Sequence, residues 1–208
     1  MTARPRWAKR SAWFTPRAPD QAVRRWGETL LRSGSQHVLD VGCGGGRHVV
    51  YLMRLGLQVT AGDLSAPALE ETRRWLAREG LSARLVQFDM TALPFADATF
   101  DAVLSVNVLH HAQPVEARMA VREVARVLRP GGLLLAVVAG PGDCQCLLQR
   151  PESPCMGEPS GACTANDLRD LFAGFRVLNT QRRSLRLPPG AGPPAWQGVN
   201  WRVWAERP

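Results

Sequence analysis

Val38-Leu-Asp-Val-Gly-Cys-Gly-Gly-Gly-Arg47 is the most informative stretch of this 208-residue chain, because a short apolar strand runs there directly into a glycine-rich turn. Glycine allows positive φ and close approach of the backbone to a ligand, and the start of the next helix leaves N–H groups free to bind one. Open α/β sheets bind their ligands at turns of this kind, at the carboxyl ends of parallel strands. We therefore predict a ligand site at the turn.

Apolar strands and amphipathic helices alternate along the chain on either side of this turn. The predicted strands cover residues 37–41, 58–62, 84–88, 101–106 and 132–138, and the predicted helices cover residues 20–32, 44–54, 66–79 and 115–128. Strands that alternate with helices of this length form a parallel sheet covered on both faces. Strand 132–138 is the most apolar and is expected in the centre of the sheet.

The C-terminal third of the chain departs from this rhythm. Residues 140–163 contain eight Gly or Pro residues and predict a long loop. Beyond it we predict a short helix over residues 165–172 that is capped by Thr164. Two late strands follow, over residues 176–187 and 199–205, and residues 188–198 link them. No repeat or domain boundary interrupts residues 36–208, so we expect one domain there, preceded by a basic arm and a lid helix over residues 1–35.

The basic charge is concentrated in the N-terminal arm. The chain has 26 basic and 18 acidic residues, a formal charge of +8, and residues 1–32 contain eight of the basic residues and only two acidic ones. A basic arm could attract an anionic substrate, RNA or a membrane surface. It could equally be a solvated leader in an arginine-rich chain.

Composition and cysteine count indicate the class of protein and its compartment. The chain is 45% hydrophobic and 21% charged, which is typical of a globular protein, and no apolar run approaches the ~18–20 residues of a membrane span. The cysteines are odd in number, and the chain does not begin with a secretory-type leader. We therefore expect a cytoplasmic protein, either a monomer or a homodimer, without a membrane partner.

The spacing of the glycines distinguishes between nucleotide-binding motifs. A dinucleotide fingerprint needs glycine or alanine where Arg47 stands, and the Gly-Lys-Ser/Thr of a P-loop is absent. Asp40-x-Gly42-x-Gly44-x-Gly46 instead resembles motif I of the class I S-adenosylmethionine-dependent methyltransferases. The glycines alone would also fit a tight strand–helix turn without a ligand.

Further segments resemble the same family in the same order, over about residues 36–139. Leu93-Pro-Phe-Ala-Asp-Ala-Thr-Phe-Asp-Ala-Val103 is similar to the segment leading into its fourth strand, and Leu128-Arg-Pro-Gly-Gly-Leu133 to the turn before its fifth. The resemblance is closest to the branch that includes the ubiquinone/menaquinone-biosynthesis and tellurite-resistance methyltransferase-like proteins. It implies a doubly wound, Rossmann-like sheet of seven mostly parallel strands, with the last strand antiparallel and helix 20–32 lying over the cofactor end.

The resemblance also implies S-adenosyl-L-methionine as cofactor and a set of residues that bind it. Asp63, at the end of the second strand, suits the paired ribose hydroxyls, although it could simply be an acid at a helix N-terminus. Asp89 resembles the acid that accepts from the adenine amino group, with Met90 behind the ring, although it could simply form a turn. The full set is Asp40, Gly42, Cys43, Gly44, Gly46, Asp63, Leu64, Asp89, Met90 and Asn107.

Methyl transfer from a sulfonium requires the nucleophile in line with the methyl carbon and sometimes removal of a proton. His110 and His111 follow the fourth strand, where the methyl group should emerge, and either could be a general base. Asn107 precedes them and is a third polar candidate. The alternative is that an aliphatic-His-His ending of this strand is purely structural.

Cys144, Cys146, Cys155 and Cys163 lie in the long loop. Their spacing could bind zinc or a soft metalloid, but it lacks the C-x2-C pairs of common zinc sites. We therefore interpret them as thiols of a loop and predict no metal, and we interpret Cys43 as a small filler near the cofactor.

These observations predict a methyltransferase that acts on a small molecule. The alternatives are a methyltransferase for RNA or protein that uses the basic arm, a metalloid methyltransferase that uses the loop cysteines, and a protein that binds the cofactor without transferring methyl. A nicotinamide oxidoreductase is disfavoured by Arg47. Two classes of nucleic-acid enzyme are disfavoured: the chain lacks the Asn/Asp-Pro-Pro-Tyr of amino-methylating enzymes after the fourth strand, and it has no cysteine there for methylation of a cytosine-type base carbon. Nucleic acid is therefore an unlikely partner.

Overall fold

The computed structural model describes residues 17–140, 163–186 and 197–208. The N-terminal arm up to residue 16, most of the cysteine loop and the linker between the late strands lie outside the described residues. The predictions that rest on those segments are therefore not covered by the description that follows.

The described residues form five α-helices and seven β-strands. The helices are α1 (Gln21–Ser33), α2 (Arg47–Arg54), α3 (Ala66–Arg78), α4 (Pro114–Val127) and α5 (Ala165–Leu171). The strands are β1 (His37–Val41), β2 (Gln58–Asp63), β3 (Arg84–Gln87), β4 (Phe100–Val106), β5 (Leu128–Ala139), β6 (Arg176–Arg186) and β7 (Gln197–Glu206). A single 3-10 turn, Leu109–His111, lies between β4 and α4.

The seven strands form one sheet in the order β3-β2-β1-β4-β5-β7-β6. Strands β1 to β5 are parallel, and β7 is antiparallel to both of its neighbours, β5 and β6. The predicted fold class is therefore confirmed, including the reversed last strand. Strand β5 is an interior strand, as predicted, but β4 occupies the middle position.

Two boundaries differ by three or more residues from those predicted, and glycines lie at both. Helix α2 begins at Arg47 instead of residue 44, because Gly44 and Gly46 adopt positive φ values of 54° and 85° that a helix does not allow. Strand β5 begins at Leu128, which pairs with Phe100 before a register shift. The apolar pattern alone indicated only the part of β5 that follows the glycine pair at 131–132.

Each face of the sheet is covered by an apolar core. One core contains Val103, Ala136, Val203 and the side chains of α4 and α5, and the other contains Val38 and the buried side chains of α1, α2 and α3. Asp20 caps α1 as predicted, because its carboxylate accepts a 2.7 Å hydrogen bond from the backbone of Ala22. Within the described residues, no helix is both long and apolar enough to cross a membrane.

Helix α1 is anchored in the second of these cores by a continuous buried face. Ala22, Val23, Trp26 and Leu30 are each 2% exposed or less. Burying side chains of this size stabilises the docked helix by roughly 1.5–3 kcal/mol for each of the larger ones. The start of α1, at Asp20, is thereby held near the carboxyl edge of the sheet, where β7 and the first turn of α2 also lie.

Candidate functional site

The glycine turn after β1 is held by hydrogen bonds to the strand beside it. The backbone N–H groups of Gly42 and Cys43 both donate to the carbonyl oxygen of Gly62 in β2, at 2.8 and 3.0 Å. Gly42 has a φ of 73°, and a Cβ there would lie 2.4 Å from the side chain of Val108. No other residue type fits this position, because the segment after β4 packs directly against the turn.

One side of the turn is closed and the other is open. On the closed side, a Cβ at Gly46 would lie 2.7 Å from Thr72, whose hydroxyl donates a 2.7 Å hydrogen bond to the carbonyl oxygen of Gly44. On the open side, a Cβ at Gly44 would meet no atom within 4 Å. The turn is therefore sterically open at Gly44, where a ligand can approach the backbone closely.

Asp63 ends β2 beside this open surface. Its two carboxylate oxygens accept 2.9 Å hydrogen bonds from the backbone N–H groups of Gly44 and Ser65. Burial raises the pKa of Asp63, although hydrogen bonds from Ser65, Gly44 and Leu64 oppose that rise. Each carboxylate oxygen has a second lone pair, so Asp63 can hold the turn and still accept from a ligand hydroxyl.

Asp40 lies beneath the turn and is only 1% exposed. Its Oδ2 atom has no hydrogen-bond partner in the part of the chain that the structure describes. Burial, reinforced by the charge of Asp63, raises the pKa of Asp40 to about 7, and the charge of Arg47 opposes this. Asp40 is therefore a buried acceptor that a ligand donor or a proton can satisfy.

Asn107 follows β4 and has a left-handed backbone, with a φ of 60°. Asparagine tolerates this conformation better than most residues, and such strain is concentrated at functional sites. Its N–H donates to the carbonyl oxygen of Val137 at 2.9 Å, and its buried Oδ1 lacks a partner among the residues described. Because Val108 touches Gly42, the chain next to Asn107 is in contact with the glycine turn.

Asp89 and Met90 follow β3, two strands away from β1. Asp89 is exposed, and one of its oxygens accepts from the backbone N–H and the hydroxyl of Thr91, at 2.9 and 2.7 Å. Asp89 therefore forms a turn, which is the alternative to adenine binding, and this turn uses its Oδ1 atom. Met90 is partly buried against the first core. The carbonyl oxygen of Leu64 accepts a 2.9 Å hydrogen bond from the side-chain amide of Gln87.

The two histidines after β4 have different environments. His110 is buried, and its Nδ1 accepts a 3.2 Å hydrogen bond from the backbone N–H of Ala139. Burial, helped by the nearby charge of His111, lowers the pKa of His110 well below its ordinary value. His111 is exposed, its ring lies 4.3 Å from that of His110, and its charge lowers the pKa of Asp63.

The cysteines that the structure describes are both in low-dielectric surroundings. Burial raises the pKa of the Cys43 thiol well above its ordinary value and that of Cys163 to about 11. Elevated pKa values disfavour the thiolate that binds metals. No group of three or more His, Cys, Asp or Glu side chains with metal-binding geometry occurs in the described ranges. Cys144, Cys146 and Cys155 lie outside them.

A line of buried and partly buried polar side chains, which no sequence pattern signals, connects the turn to the last strand. Asp20 pairs with Arg202 of β7 at 2.8 Å, and its N–H donates to Nε2 of His48 at 3.3 Å. Arg47 is close to both Asp20 and Asp40, whose charges oppose the lowering of its pKa by burial. Strand alternation puts Arg202 on the same face as Trp204, but no spacing in the sequence signals the pairing of Arg202 with a helix cap 182 residues away.

The chain resembles known proteins most clearly around this site. Residues 39–136 match the family model described as a methyltransferase domain. The O-methyltransferase cnsE of Penicillium expansum is 33% identical over 173 residues, which cover 77% of this chain and 59% of that protein. A ubiquinone biosynthesis O-methyltransferase of Methylocella silvestris is 41% identical over 99 residues, which cover 48% of this chain and 38% of that protein.

A solved structure extends the comparison to the whole fold. The crystal structure of magnesium protoporphyrin IX methyltransferase from Synechocystis PCC 6803 with bound S-adenosylhomocysteine superimposes with a TM-score of 0.68 at 20% identity, covering 90% of this chain and 83% of that one. This likeness supports the fold. The matched part of this chain spans less than two thirds of either curated relative.

Proposed function

We propose that this chain, whose residues 39–136 match the methyltransferase domain model, is a class I S-adenosylmethionine-dependent methyltransferase that transfers a methyl group to a small-molecule acceptor. The observation that carries the proposal is the open backbone surface at Gly44 with Asp63 fixed beside it. A turn that is hydrogen-bonded on one side and open on the other is suited to a ligand that lies along the backbone. The carboxylate of Asp63 and the open backbone at Gly44 together suit a nucleoside that carries an amino-acid tail.

The residues present fit S-adenosylmethionine. Asp63 would accept from the ribose hydroxyls, and the turn at residues 42–46, with Cys43 buried inside it, would lie along the amino-acid tail. The buried acceptor atoms of Asp40 and Asn107 would receive hydrogen bonds from donors on that tail, directly or through the turn. When bound, S-adenosylmethionine supplies a methyl group already activated by the sulfonium.

Asp89, Met90 and Leu64 complete the proposed cofactor residues. One oxygen of Asp89 is engaged by Thr91, so the other would accept from the adenine amino group, with Met90 packed behind the ring. The carbonyl oxygen of Leu64 is bonded to Gln87, which fixes the backbone between Asp63 and Ser65. The chain therefore offers one acidic acceptor for the sugar and another for the base.

Proton removal, where the acceptor requires it, is assigned to His111. The Nδ1 lone pair of His110 is engaged by Ala139, so a neutral His110 carries its proton on Nε2 and has no nitrogen free to accept another. His111 is exposed and close enough to Asp63 to influence its charge. His110 thus acts by holding the segment after β4 against β5.

The remaining features of the proposal concern the chain around the site. Helix α1 would form part of a lid over the cofactor end, because it begins beside the carboxyl edge of the sheet. The protein would work in the cytoplasm as a monomer or homodimer. Transfer to RNA or protein through the arm, or to a metalloid through the loop cysteines, depends on residues outside the described ranges, and no described contact favours it.

Calorimetry with S-adenosylhomocysteine and with NADH tests the proposal. We expect the first to bind and the second not to bind, and Asp63→Ala to weaken binding at least tenfold. The control is Asp170→Ala, which removes an exposed carboxylate on α5. Incubation with S-adenosylmethionine and pools of small molecules should give products heavier by one methylene. Absence of S-adenosylhomocysteine binding, or equal binding by Asp63→Ala, would overturn it.

A further inference from the structure

Strand β7 contains two buried polar side chains whose hydrogen-bonding capacity is incompletely used. Asn200 is 3% exposed and Arg202 is 6% exposed. Among the described residues, neither Oδ1 of Asn200 nor Nε of Arg202 has a hydrogen-bond partner. Buried donors and acceptors are nearly always paired in folded proteins, and an unpaired one costs about 1–3 kcal/mol. An orphan donor and an orphan acceptor two residues apart on one face indicate a group that completes both.

The register of the sheet places these residues on the acceptor side of the proposed site. Arg202 pairs with Val137 of β5, and Val137 pairs with Val106, the last residue of β4. Asn200 pairs with Ala139, two residues further toward the carboxyl edge. Neighbouring strands are ~4.8 Å apart, so the backbone of Arg202 lies roughly 10 Å from the end of β4.

The head of Arg202 is directed back toward the glycine turn. Its guanidinium pairs with Asp20, whose N–H in turn bonds to His48 in the first turn of α2. That turn of helix begins at Arg47, immediately after the glycines. Through Asp20, the guanidinium is therefore linked to the start of α2, next to the glycine turn.

Positive charge exceeds negative charge around this guanidinium. Asp20 is the carboxylate that pairs with it, whereas the charges of both Arg25 and Arg183 act on Arg202. Arg183 is also fixed there, because it donates a 3.0 Å hydrogen bond to Gln21 and pairs in register with Asn200. Three cations around one carboxylate favour an additional anion.

We propose that Arg202 and Asn200 form an acceptor subsite for an organic acid that also carries a hydroxyl or amine. Nε of Arg202 donates to a carboxylate oxygen of the acceptor, and Oδ1 of Asn200 accepts from its hydroxyl or amine. This inference deepens the proposed methyl transfer and depends on it. A charge-assisted bond from arginine to a carboxylate is among the stronger polar contacts available to a ligand.

Matched pairs of acceptors test the subsite in the full chain saturated with S-adenosylhomocysteine. The probes are hydroxybenzoates and short aliphatic hydroxy acids, each paired with its primary amide, which has the same shape without the charge. Binding is measured by ligand-observed NMR. We expect at least one acid to bind at least tenfold more tightly than its amide.

Two variants connect that preference to β7. Arg202→Lys keeps the charge beside Asp20 but removes the Nε donor, and Asn200→Asp adds a charge that repels a carboxylate. Each should weaken binding of the acid at least tenfold, with affinity for S-adenosylhomocysteine unchanged. The control is Arg182→Lys, the same change at an exposed position facing the other side of β6, which should leave both affinities unchanged.

Three outcomes would overturn the subsite. They are equal binding of acids and amides, no binding of any acid, and acid binding unaffected by both β7 variants. In the last case the Asp20–Arg202 pair only anchors α1. Failure of the methyltransferase proposal itself is seen separately, since S-adenosylhomocysteine would then not bind at the start of the experiment.

Discussion

The hydroxyl of Thr72 in α3 donates a 2.7 Å hydrogen bond to the carbonyl oxygen of Gly44, 28 residues earlier in the chain. Thr72 is fully buried, and its side chain also occupies the space that a Cβ at Gly46 would need. A residue of the third helix thus determines the shape of the turn after the first strand. This contact makes the geometry of the proposed cofactor site dependent on the packing of α3.

Thr72→Val should therefore loosen the turn without leaving a cavity. Valine has nearly the same shape as threonine but cannot donate, so the carbonyl oxygen of Gly44 loses its hydroxyl donor and keeps the weak 3.8 Å contact from the Cys43 thiol. We expect a loss of about 1–3 kcal/mol in the free energy of unfolding and weaker binding of S-adenosylhomocysteine. Urea unfolding and calorimetry measure the two effects.

The matched control is Thr99→Val. Thr99 donates a 2.7 Å hydrogen bond to the carbonyl oxygen of Ala96 in an exposed turn, where water can replace the hydroxyl. This variant should change the free energy of unfolding little and leave cofactor affinity unchanged. If both variants bind S-adenosylhomocysteine as the unmodified chain does, the contact does not shape the site.

Gly62→Ala should destabilise the protein, because a Cβ at this position would lie 2.0 Å from the ring of Phe88. Overpacking of this kind costs about 1–3 kcal/mol. Thermal unfolding measures the loss, and Phe88→Leu in the same chain should restore part of it by shortening the side chain. Gly174→Ala is the control, since a Cβ there meets nothing within 4 Å, and it should not destabilise the fold. Equal melting temperatures for both single variants would contradict the close approach.

Asp40→Asn should alter the pH dependence of stability. Burial raises the pKa of Asp40 from its ordinary value near ~3.9 to about 7, so the folded state holds a proton that the unfolded state has released. The free energy of unfolding therefore falls as pH rises through this window and levels off above it. Asparagine does not titrate, so the variant should gain stability relative to the unmodified chain between pH 4 and pH 7. Urea midpoints at several pH values measure the difference.

Asp101→Asn should change the pH dependence of the free energy of unfolding in the opposite direction. Burial disfavours the charge of Asp101, but 2.9 Å hydrogen bonds from the backbone of His37 and Gln36 hold its pKa below the ordinary value. Its contribution is present at neutral pH and is lost as pH falls, so this variant should be less stable at pH 7 and approach the unmodified chain in acid. If the free energy of unfolding depends on pH in the same way in both variants, the opposite pKa shifts of Asp40 and Asp101 are wrong.

Substitutions of the two histidines should separate stability from turnover. His110→Leu leaves the buried N–H of Ala139 without an acceptor and should cost about 1–3 kcal/mol, whereas His110→Asn retains an acceptor and should cost less. His111→Ala should leave unfolding unchanged, and it should lower methyl transfer about 10²–10⁴-fold when the acceptor must lose a proton. Full turnover by His111→Ala, together with loss of turnover in a stably folded His110→Asn, would reverse the assignment.

Local patterns were sufficient to predict most of the fold. Alternation of short apolar strands with amphipathic helices gave the parallel sheet, and Asp20 and Thr164 were identified as caps from their positions before helical runs. Glycine spacing located the turn, since the positive φ values at Gly42, Gly44 and Gly46 depend on residue type. These features are readable because each arises from residues close together in the sequence.

The polar interior of the site was not readable in this way. The pairing of Asp20 with Arg202 joins two residues 182 positions apart, and the elevated pKa of Asp40 comes from burial created by the whole sheet. The difference between His110 and His111 depends on which ring meets the N–H of Ala139 in β5. Tertiary contacts of this kind leave no periodic trace in the chain.

The position of β7 has a consequence for how the molecule is made. A ribosome delivers β5 and β6 before β7, yet β7 is the strand that lies between them. Until residues 197–206 emerge, β6 has no neighbour in the sheet and β5 exposes one hydrogen-bonding edge. Strand β6 can therefore join the sheet only together with β7, and the guanidinium that completes the polar interior arrives with that pair.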